Sequence, residues 1–153
     1  MIREINLSSC SGIRRPFHAI KLSNGDYVVS DQQRVCIVDT DGKLNKSFGG
    51  KRGSENGQVN GPVYLSVVGN GFVMVVDRGN CRVLLLDSDL ELKREVLLKE
   101  SHGLRRPERI LLDESNGRLF VADNDANNQR LLVFNPFCEY CLSLNLSKLY
   151  MSI

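Results

Sequence analysis

The side chains that could carry catalysis or hold a metal in this 153-residue chain are few and scattered. The two histidines, His18 and His102, have no cluster of cysteines or carboxylates beside them, whereas a structural zinc site needs about four ligands. Cys138 and Cys141 form a C-x-x-C spacing without a second pair, which we interpret as incidental. No Ser/His/Asp, Cys/His or paired-carboxylate set stands out. We therefore predict no catalytic residues, no metal site and no cofactor.

The composition is that of an ordinary soluble domain. The five cysteines are an odd number without framework spacing, which favours reduced thiols and a cytoplasmic location. The net charge of +2 is too small to indicate a polyanionic partner by itself. No apolar run is long enough to cross a membrane and the N-terminus lacks the layout of a signal peptide. We expect no membrane partner.

Charged residues recur at fixed spacing. Three aspartates are 46 residues apart and three arginines are 48 residues apart, giving the pairs Asp31 with Arg34, Asp77 with Arg82, and Asp123 with Arg130. A charged pair that recurs once per repeat usually serves the repeat. We predict that these pairs tie a loop to its strands.

Arginine doublets recur as well. GIRRP at 12–16 is echoed by GLRRP at 103–107 and, more distantly, by VNGP at 59–62. The echo extends to REINLSSCSGIRRP (3–16) and REVLLKESHGLRRP (94–107). Guanidinium groups can hold carboxylates or phosphates through paired hydrogen bonds, and simple solvation is the alternative interpretation of such doublets.

The elements that carry these residues are predicted to be strands. When Pro16, Pro62 and Pro107 are aligned, each is followed by an apolar run, a glycine turn, a second apolar run and an aspartate. Asn-Gly and Asp-Gly supply the positive φ that tight hairpins need. Several runs are apolar on both sides of the pleat, so their sheets must be covered on both faces. Four short strands per unit of 40 to 50 residues are typical of a β-propeller blade. Residues 91–100 are predicted to form an outer strand and not a helix.

The repeats resemble NHL repeats. GNGFVMVVDRGNCRVLLLD (69–87) and KLNKSFGGKRGSENGQVNGP (43–62) are similar to the pattern of that family, and the resemblance covers nearly the whole chain. It implies an all-β propeller of four-stranded antiparallel blades, of the kind found at the C-terminus of tripartite-motif proteins. It also implies a recognition module from a ubiquitin-ligase context, although the sequence contains none of the RING, B-box or coiled-coil modules.

The predicted propeller is partial. We expect a single domain over 1–153, in which 1–11 contain the outer strand of a preceding blade (3–7), and the three blades occupy 12–58, 59–103 and 104–150. The run CEYCLSLNL after residue 137 is the predicted outer strand of the third blade. Three blades are about half a ring, so two apolar sheet faces should remain uncovered and favour association. One possibility is a homodimer that completes the ring.

Strand direction sorts the charges between two faces. We call the side where Pro16, Pro62 and Pro107 start their strands the entry face, and the other side the far face. The cations predicted on the entry face are Arg14, Arg15, Arg34, Lys51, Arg52, Arg78, Arg82, Arg105, Arg106 and Arg130. The acids predicted on the far face, against few cations, are Asp26, Asp39, Asp41, Asp87, Asp89, Glu91, Asp113 and Glu114. The predicted ligand-binding residues are Arg14, Arg15, Lys51, Arg52, Arg78, Arg105, Arg106, Asn127 and Asn128.

Three functions fit this sequence. The first is protein binding by the entry face, and the second is binding of single-stranded RNA, which some NHL propellers bind across a basic face. The entry loops carry almost no aromatic residues, which single-stranded RNA usually needs for stacking. The third is a lyase-type propeller enzyme, for which the required histidines are missing. We rank protein binding first.

Overall fold

The computed structural model describes residues 4–69 and 71–135. It contains three antiparallel sheets whose strands follow chain order. Sheet 1 consists of β1 (His18–Lys21), β2 (Tyr27–Asp31), β3 (Arg34–Val38) and β4 (Leu44–Gly49). Sheet 2 consists of β5 (Pro62–Val68), β6 (Phe72–Asp77), β7 (Arg82–Leu86) and β8 (Leu92–Leu97). Sheet 3 consists, within the described residues, of β9 (Pro107–Asp113), β10 (Arg118–Asp125) and β11 (Asn128–Phe134).

Helical structure is limited to single turns in the described part of the chain. These are α1 (Leu7–Cys10), α2 (Lys99–His102) and a 3-10 turn at Arg78–Asn80. Neither α1 nor α2, at four residues each, has the length to cross a membrane. The prediction of an all-β chain with antiparallel sheets is confirmed.

Two predictions about outer strands have different outcomes. Residues 91–100 contain β8, as predicted, but the run ends in α2, which the sequence did not indicate. The predicted strand over 3–7 is wrong where it can be compared, because 4–6 have no regular structure and Leu7 begins α1. The predicted outer strand CEYCLSLNL lies outside the described residues.

The sheets stack in chain order through apolar faces. Because side chains alternate along a strand, each sheet has a forward face toward the next sheet and a back face toward the previous one. The forward face of sheet 1, with Val35 and Ile37, packs on the back face of sheet 2, with Leu84 and Leu86. The forward face of sheet 2 packs in the same way on sheet 3, where Val121 is fully buried. Between the three sheets, the core therefore forms two layers of mostly aliphatic side chains.

The two ends of the stack differ. The back face of sheet 1, with Val29, Cys36 and Val38, is covered by Leu7 and Ile13 from the N-terminal segment. The forward face of sheet 3 has no cover among the residues that the structure describes: Leu111, Leu131 and Val133 are 64, 67 and 53% exposed. The prediction of two uncovered faces is therefore wrong for sheet 1, because the segment that precedes β1 folds back onto that sheet.

Tight turns shape the far ends of the sheets. Gly42 takes φ 85°, which glycine adopts without strain. At the corresponding position in sheet 2, Leu90 takes φ 61° and is almost fully buried. A leucine in this conformation is strained, but its side chain joins the core between sheets 1 and 2.

Candidate functional site

The entry loops of the three sheets lie on one side of the molecule. A backbone bond joins the loops of sheets 1 and 2, because the N–H of Gly61 donates to Gln32 O at 3.0 Å. Within sheet 2, the N–H of Arg78 donates to Gly61 O at 3.2 Å. The Cys81 thiol reaches Arg105 O at 2.8 Å. The loops on which the entry face was predicted are thus neighbours in space.

Each recurring aspartate is the centre of a cluster of hydrogen bonds that we call a node, and the ion pair in the node of sheet 2 is the most completely buried. Asp77 is fully buried and lies 2.8 Å from Nε of Arg82. It also accepts the backbone N–H of Asn60 at 2.7 Å. Arg82 donates onward to Gln58 O at 2.8 Å and to Oε1 of Glu95 on β8 at 2.5 Å. The ion pair therefore ties an entry loop, two strands and the outer strand together.

The nodes of sheets 1 and 3 hold the arginine doublets by their backbone. Asp31 accepts the N–H groups of Arg14 and Arg15 at 3.5 and 3.3 Å, and Arg34 is a looser partner at 3.8 Å. In sheet 3, Asp123 accepts the corresponding N–H groups of Arg105 and Arg106 and pairs with Arg130. The structure thus brings each predicted Asp/Arg pair together, and the doublets gain fixed backbones from which their side chains extend.

The cations of the entry face differ in what they contact. Arg105 pairs with Asp125 at 2.8 Å, and Glu108 receives both Arg106 at 3.1 Å and Arg78 at 3.3 Å. The hydrogen bond from Arg105 lowers the pKa of Asp125. Arg52 donates to Oδ1 of Asn60 at 2.8 Å.

Three exposed cations remain on the entry face: within the described part of the chain, the side chains of Arg14, Arg15 and Lys51 make no hydrogen bond or ion pair. We call these three the unpaired group. Asn127 and Asn128 are exposed at the turn after Asp125. The entry face is therefore neutralised on its third-sheet side and cationic on its first-sheet side.

Acids of the far face have structural partners, which are backbone N–H groups for some and lysines for others. Oδ1 of Asp39 accepts the N–H groups of Asp41 and Lys43, each at 2.9 Å, and so closes its turn. Asp87 pairs with Lys93 at 2.7 Å; although desolvation opposes the effect, this hydrogen bond lowers the pKa of Asp87.

A cleft of about 610 Å³ opens on the far face between sheets 1 and 2. Leu22, Ile37 and Val67 form its apolar part, while the ion pair of Lys46 with Asp89 lies at its rim. Sequence reasoning missed this cleft, since it exists only where the turns of two different sheets meet.

Two rings and a guanidinium group form a row across the strands β1, β5 and β9. The ring of His18 stacks on Tyr64 with centroids 4.2 Å apart, and the guanidinium of Arg109 lies 5.1 Å from the Tyr64 centroid. Nδ1 of His18 accepts the N–H of Leu65 at 3.2 Å. Desolvation, with Arg109 nearby, lowers the pKa of His18. This row was also missed, although each member lies two residues after one of the aligned prolines.

His102, Cys36 and Cys81 have structural surroundings. His102 accepts the N–H of Leu98 at 3.1 Å and contacts Phe134 edge to face. Burial raises the pKa of the Cys36 thiol to about 11 and also raises that of Cys81, so neither is an activated thiolate. No group of three or more potential metal ligands occurs among the residues that the structure describes.

Comparisons with known proteins support the fold and give no information on function. No protein-family model matches the chain, and no curated protein sequence matches it. Solved structures do match, among them a crystal structure of a protein of unknown function from Bacteroides caccae, with a TM-score of 0.59 and 17% identity. The match covers 77% of this chain and 43% of that chain, so this chain spans less than half the length of that structure. At this identity the likeness shows the fold alone.

Proposed function

We propose that the three sheets are blades of a partial NHL-type propeller that acts as a non-enzymatic binding module. Support comes from the 46-residue repeat, from sheets whose strands follow chain order, and from the stacking of each forward face on the next back face. The match to less than half of a longer structure of the same fold agrees with a partial array. A role as the substrate-recognition part of a ubiquitin ligase rests on the family resemblance alone.

The proposed ligand is an acidic protein surface, bound on the first-sheet side of the entry face. The observation that carries this proposal is the unpaired group, Arg14, Arg15 and Lys51, whose side chains are exposed. Asp31 fixes the backbones of the two arginines. Ligand binding therefore has to order little more than their side chains, which keeps its entropic cost low. Arginine can grip a carboxylate with two parallel hydrogen bonds, and no internal acid has to be displaced first.

Single-stranded RNA is the second candidate, favoured by the row of His18, Tyr64 and Arg109. This row supplies the aromatic surface that the entry loops themselves lack, and aromatic or guanidinium planes stack on bases. Both faces of Tyr64 already have neighbours in the row. Protein binding therefore stays first.

The test compares two variants with equal numbers of arginine changes. Arg14→Ser with Arg15→Ser removes two of the unpaired group, while Arg105→Ser with Arg106→Ser removes arginines that already have acidic partners. Binding of a fluorescent poly-glutamate peptide should weaken at least about tenfold in the first variant and less than about threefold in the second, because prepaired cations contribute little new attraction. Both variants should fold, since exposed charges contribute little to stability.

The same titrations with poly-uridine RNA separate the two ligands. If RNA is the ligand, its affinity should fall steeply with salt, and each lost phosphate contact should flatten the log–log slope by about 0.7. Equal losses in both variants would contradict the assignment to the first-sheet side. Binding that survives both variants and disappears on changing Asp39, Asp41, Asp87 and Asp89 to Asn would place the site on the far face.

A further inference from the structure

Asparagine followed by glycine recurs in the turns of this chain. Five such pairs occur in the sequence, and four of them lie fully within the described residues. This dipeptide is prone to spontaneous deamidation, because glycine has no side chain to hinder its peptide nitrogen from attacking the asparagine amide. The attack requires that the asparagine side chain and the glycine N–H can meet. The hydrogen bonds around each pair therefore decide which pair reacts. The four pairs are Asn24–Gly25, Asn56–Gly57, Asn60–Gly61 and Asn116–Gly117.

The first pair, in the turn between β1 and β2, has both reacting groups engaged. Oδ1 of Asn24 accepts the N–H of Asp26 at 3.1 Å. The N–H of Gly25 donates to Leu22 O at 3.0 Å. Both bonds have to open before the glycine nitrogen can reach the side chain, so the native turn protects this asparagine.

Two further pairs are held as well. Oδ1 of Asn60 accepts a hydrogen bond from Nε of Arg52 at 2.8 Å, and the N–H of Gly61 donates to sheet 1 at 3.0 Å. In the turn between β9 and β10, Nδ2 of Asn116 donates to Oδ2 of Asp113 at 2.7 Å. The fold therefore restrains the asparagine side chain in each of these pairs.

The remaining pair, Asn56–Gly57, has both groups free. Both residues are exposed, and neither the side chain of Asn56 nor the N–H of Gly57 makes a hydrogen bond within the described residues. The turn is closed by the N–H of Gln58, which donates to Glu55 O at 3.0 Å. Gly57 takes φ 77°, as the third residue of a type II turn does. A Cβ at this position would meet no atom within 4 Å, so the space around the attacking nitrogen is open.

The base of the same loop is firmly attached. The buried Arg82 donates to Ser54 O at 2.9 Å and to Gln58 O at 2.8 Å, on either side of the exposed turn. Asn80 adds a bond to Gly53 O at 2.7 Å. A chemical change at the tip is therefore presented by a loop whose two ends stay in place.

The charge of this loop is small and close to the unpaired group. Residues 50–61 carry two cations, Lys51 and Arg52, against one acid, Glu55, which gives a net charge of +1. Lys51 is itself a member of the unpaired group. One additional carboxylate at position 56 would bring the net charge of the loop to zero.

We propose that Asn56–Gly57 is a spontaneous deamidation site that reduces the positive charge of the entry face. The peptide nitrogen of Gly57, after losing its proton to base, attacks Cγ of Asn56. The bond from Cγ to the side-chain nitrogen breaks, ammonia leaves, and a five-membered succinimide ring remains. Water then opens the ring at either carbonyl, which yields aspartate or isoaspartate with one new carboxylate.

The consequence for binding rests on the proposed function. An acidic protein ligand is attracted by Lys51 together with Arg14 and Arg15, and a carboxylate on the loop that carries Lys51 opposes that attraction. The reaction runs in one direction without an enzyme. Deamidation therefore lowers the affinity of the entry face as the protein ages.

Peptide mapping by mass spectrometry tests the chemistry on the full chain kept in mildly alkaline buffer. Asn56 should convert at least about tenfold faster than Asn24, Asn60 or Asn116, because these must first open hydrogen bonds of the native turns. In urea the four sites should convert at similar rates. Conversion of Asn56 no faster than the other three, or an equal lead for Asn56 in urea, would overturn the proposal. Asn56→Gln should remove conversion at this position, since glutamine would have to form a less favourable six-membered ring.

Binding of the fluorescent poly-glutamate peptide tests the consequence. Asn56→Asp reproduces the aspartate product and should weaken binding by about two- to threefold at low salt, a loss that high salt screens. Asn45→Asp, the same change at an exposed position of the outer strand β4, should leave binding unchanged.

The two binding proposals fail in different ways. If Asn56→Asp has no effect while the variant of Arg14 and Arg15 weakens binding, the effect of deamidation is refuted and the proposed function stands. If neither variant matters, the proposed function fails and the effect on binding fails with it. The mapping result then decides the chemistry alone.

Discussion

Sheets 1 and 3 share one design at the entry face and present different charges there. In both, a buried aspartate binds the backbone of an Arg-Arg doublet. After the proline, however, sheet 1 has Phe17 where sheet 3 has Glu108, and its turn has Gln33 where sheet 3 has Asp125. Glu108 and Asp125 neutralise arginines of the third-sheet side, while the unpaired group remains free. The node fixes the backbone, and the residues beside it decide whether the cations can bind a ligand.

The nodes themselves provide the largest expected effect. Asp77→Ala should lower the free energy of unfolding by about 3–5 kcal/mol, because it leaves the buried Arg82 without its main counter-charge. Asp31→Ala should cost only about 1–2 kcal/mol, since Arg34 is partly exposed and lies 3.8 Å away. Urea unfolding of both variants measures the difference. Equal losses would show that the two nodes are equally tight in solution.

The comparison of a buried interface with the exposed end of the apolar stack gives the next largest effect. Leu85→Ala should cost about 2–5 kcal/mol, because it opens a cavity between sheets 2 and 3. Leu131→Ala should change the stability of the monomer by less than about 0.5 kcal/mol, because its side chain is mostly exposed. Thermal unfolding at low and high protein concentration checks this. A loss of stability for Leu131→Ala that appears only at high protein concentration would show that association covers this face.

Much of this architecture could be predicted from the sequence, because repetition aligns equivalent residues. The Asp/Arg nodes and β8 followed from spacing and from apolar patterns in the strands. The segment 4–7 was predicted as a strand from its resemblance to β8, but residues 4–6 have no regular structure and Leu7 begins α1. The doublets were predicted to be alike for two reasons. Glu108 is close to Arg106 in sequence but belongs to a predicted strand, and Asp125 is 20 residues from Arg105. Only the fold shows that these acids reach the arginines.

Acidification should loosen the contact between sheets 1 and 2 more than that between sheets 2 and 3. The folded pKa of His18 is lowered, by desolvation first and by Arg109 second, so the unfolded state binds the proton more readily. Stability is therefore fully present above the unfolded pKa of about 6.5 and falls as the pH drops through that value toward the folded pKa. Protonation also removes the acceptor that Nδ1 offers to Leu65, with Tyr64 stacked beside it.

A pair of histidine variants isolates this effect. His18→Asn keeps an acceptor for the N–H of Leu65 and should flatten the dependence of stability on pH between 7 and 5. His102→Asn is the matched control and should leave the dependence in place. Urea midpoints measured over this range give the comparison, and an unchanged slope in the His18 variant would assign the dependence to other groups.

The smallest expected effect comes from removing an acid on the third-sheet side, so that its charge resembles that of the first-sheet side. Asp125→Asn removes the acid that pairs with Arg105 but keeps a side chain of the same size at the turn. The freed guanidinium should raise the affinity for a poly-glutamate peptide by about two- to threefold at low salt, and the gain should vanish at high ionic strength because the site is exposed. Asp113→Asn on the far face, where the acid instead binds Ser115 and Asn116, should not change the affinity. If neither change has an effect while the Arg14 and Arg15 variant abolishes binding, then the ligand contacts the first-sheet side alone and does not reach Arg105.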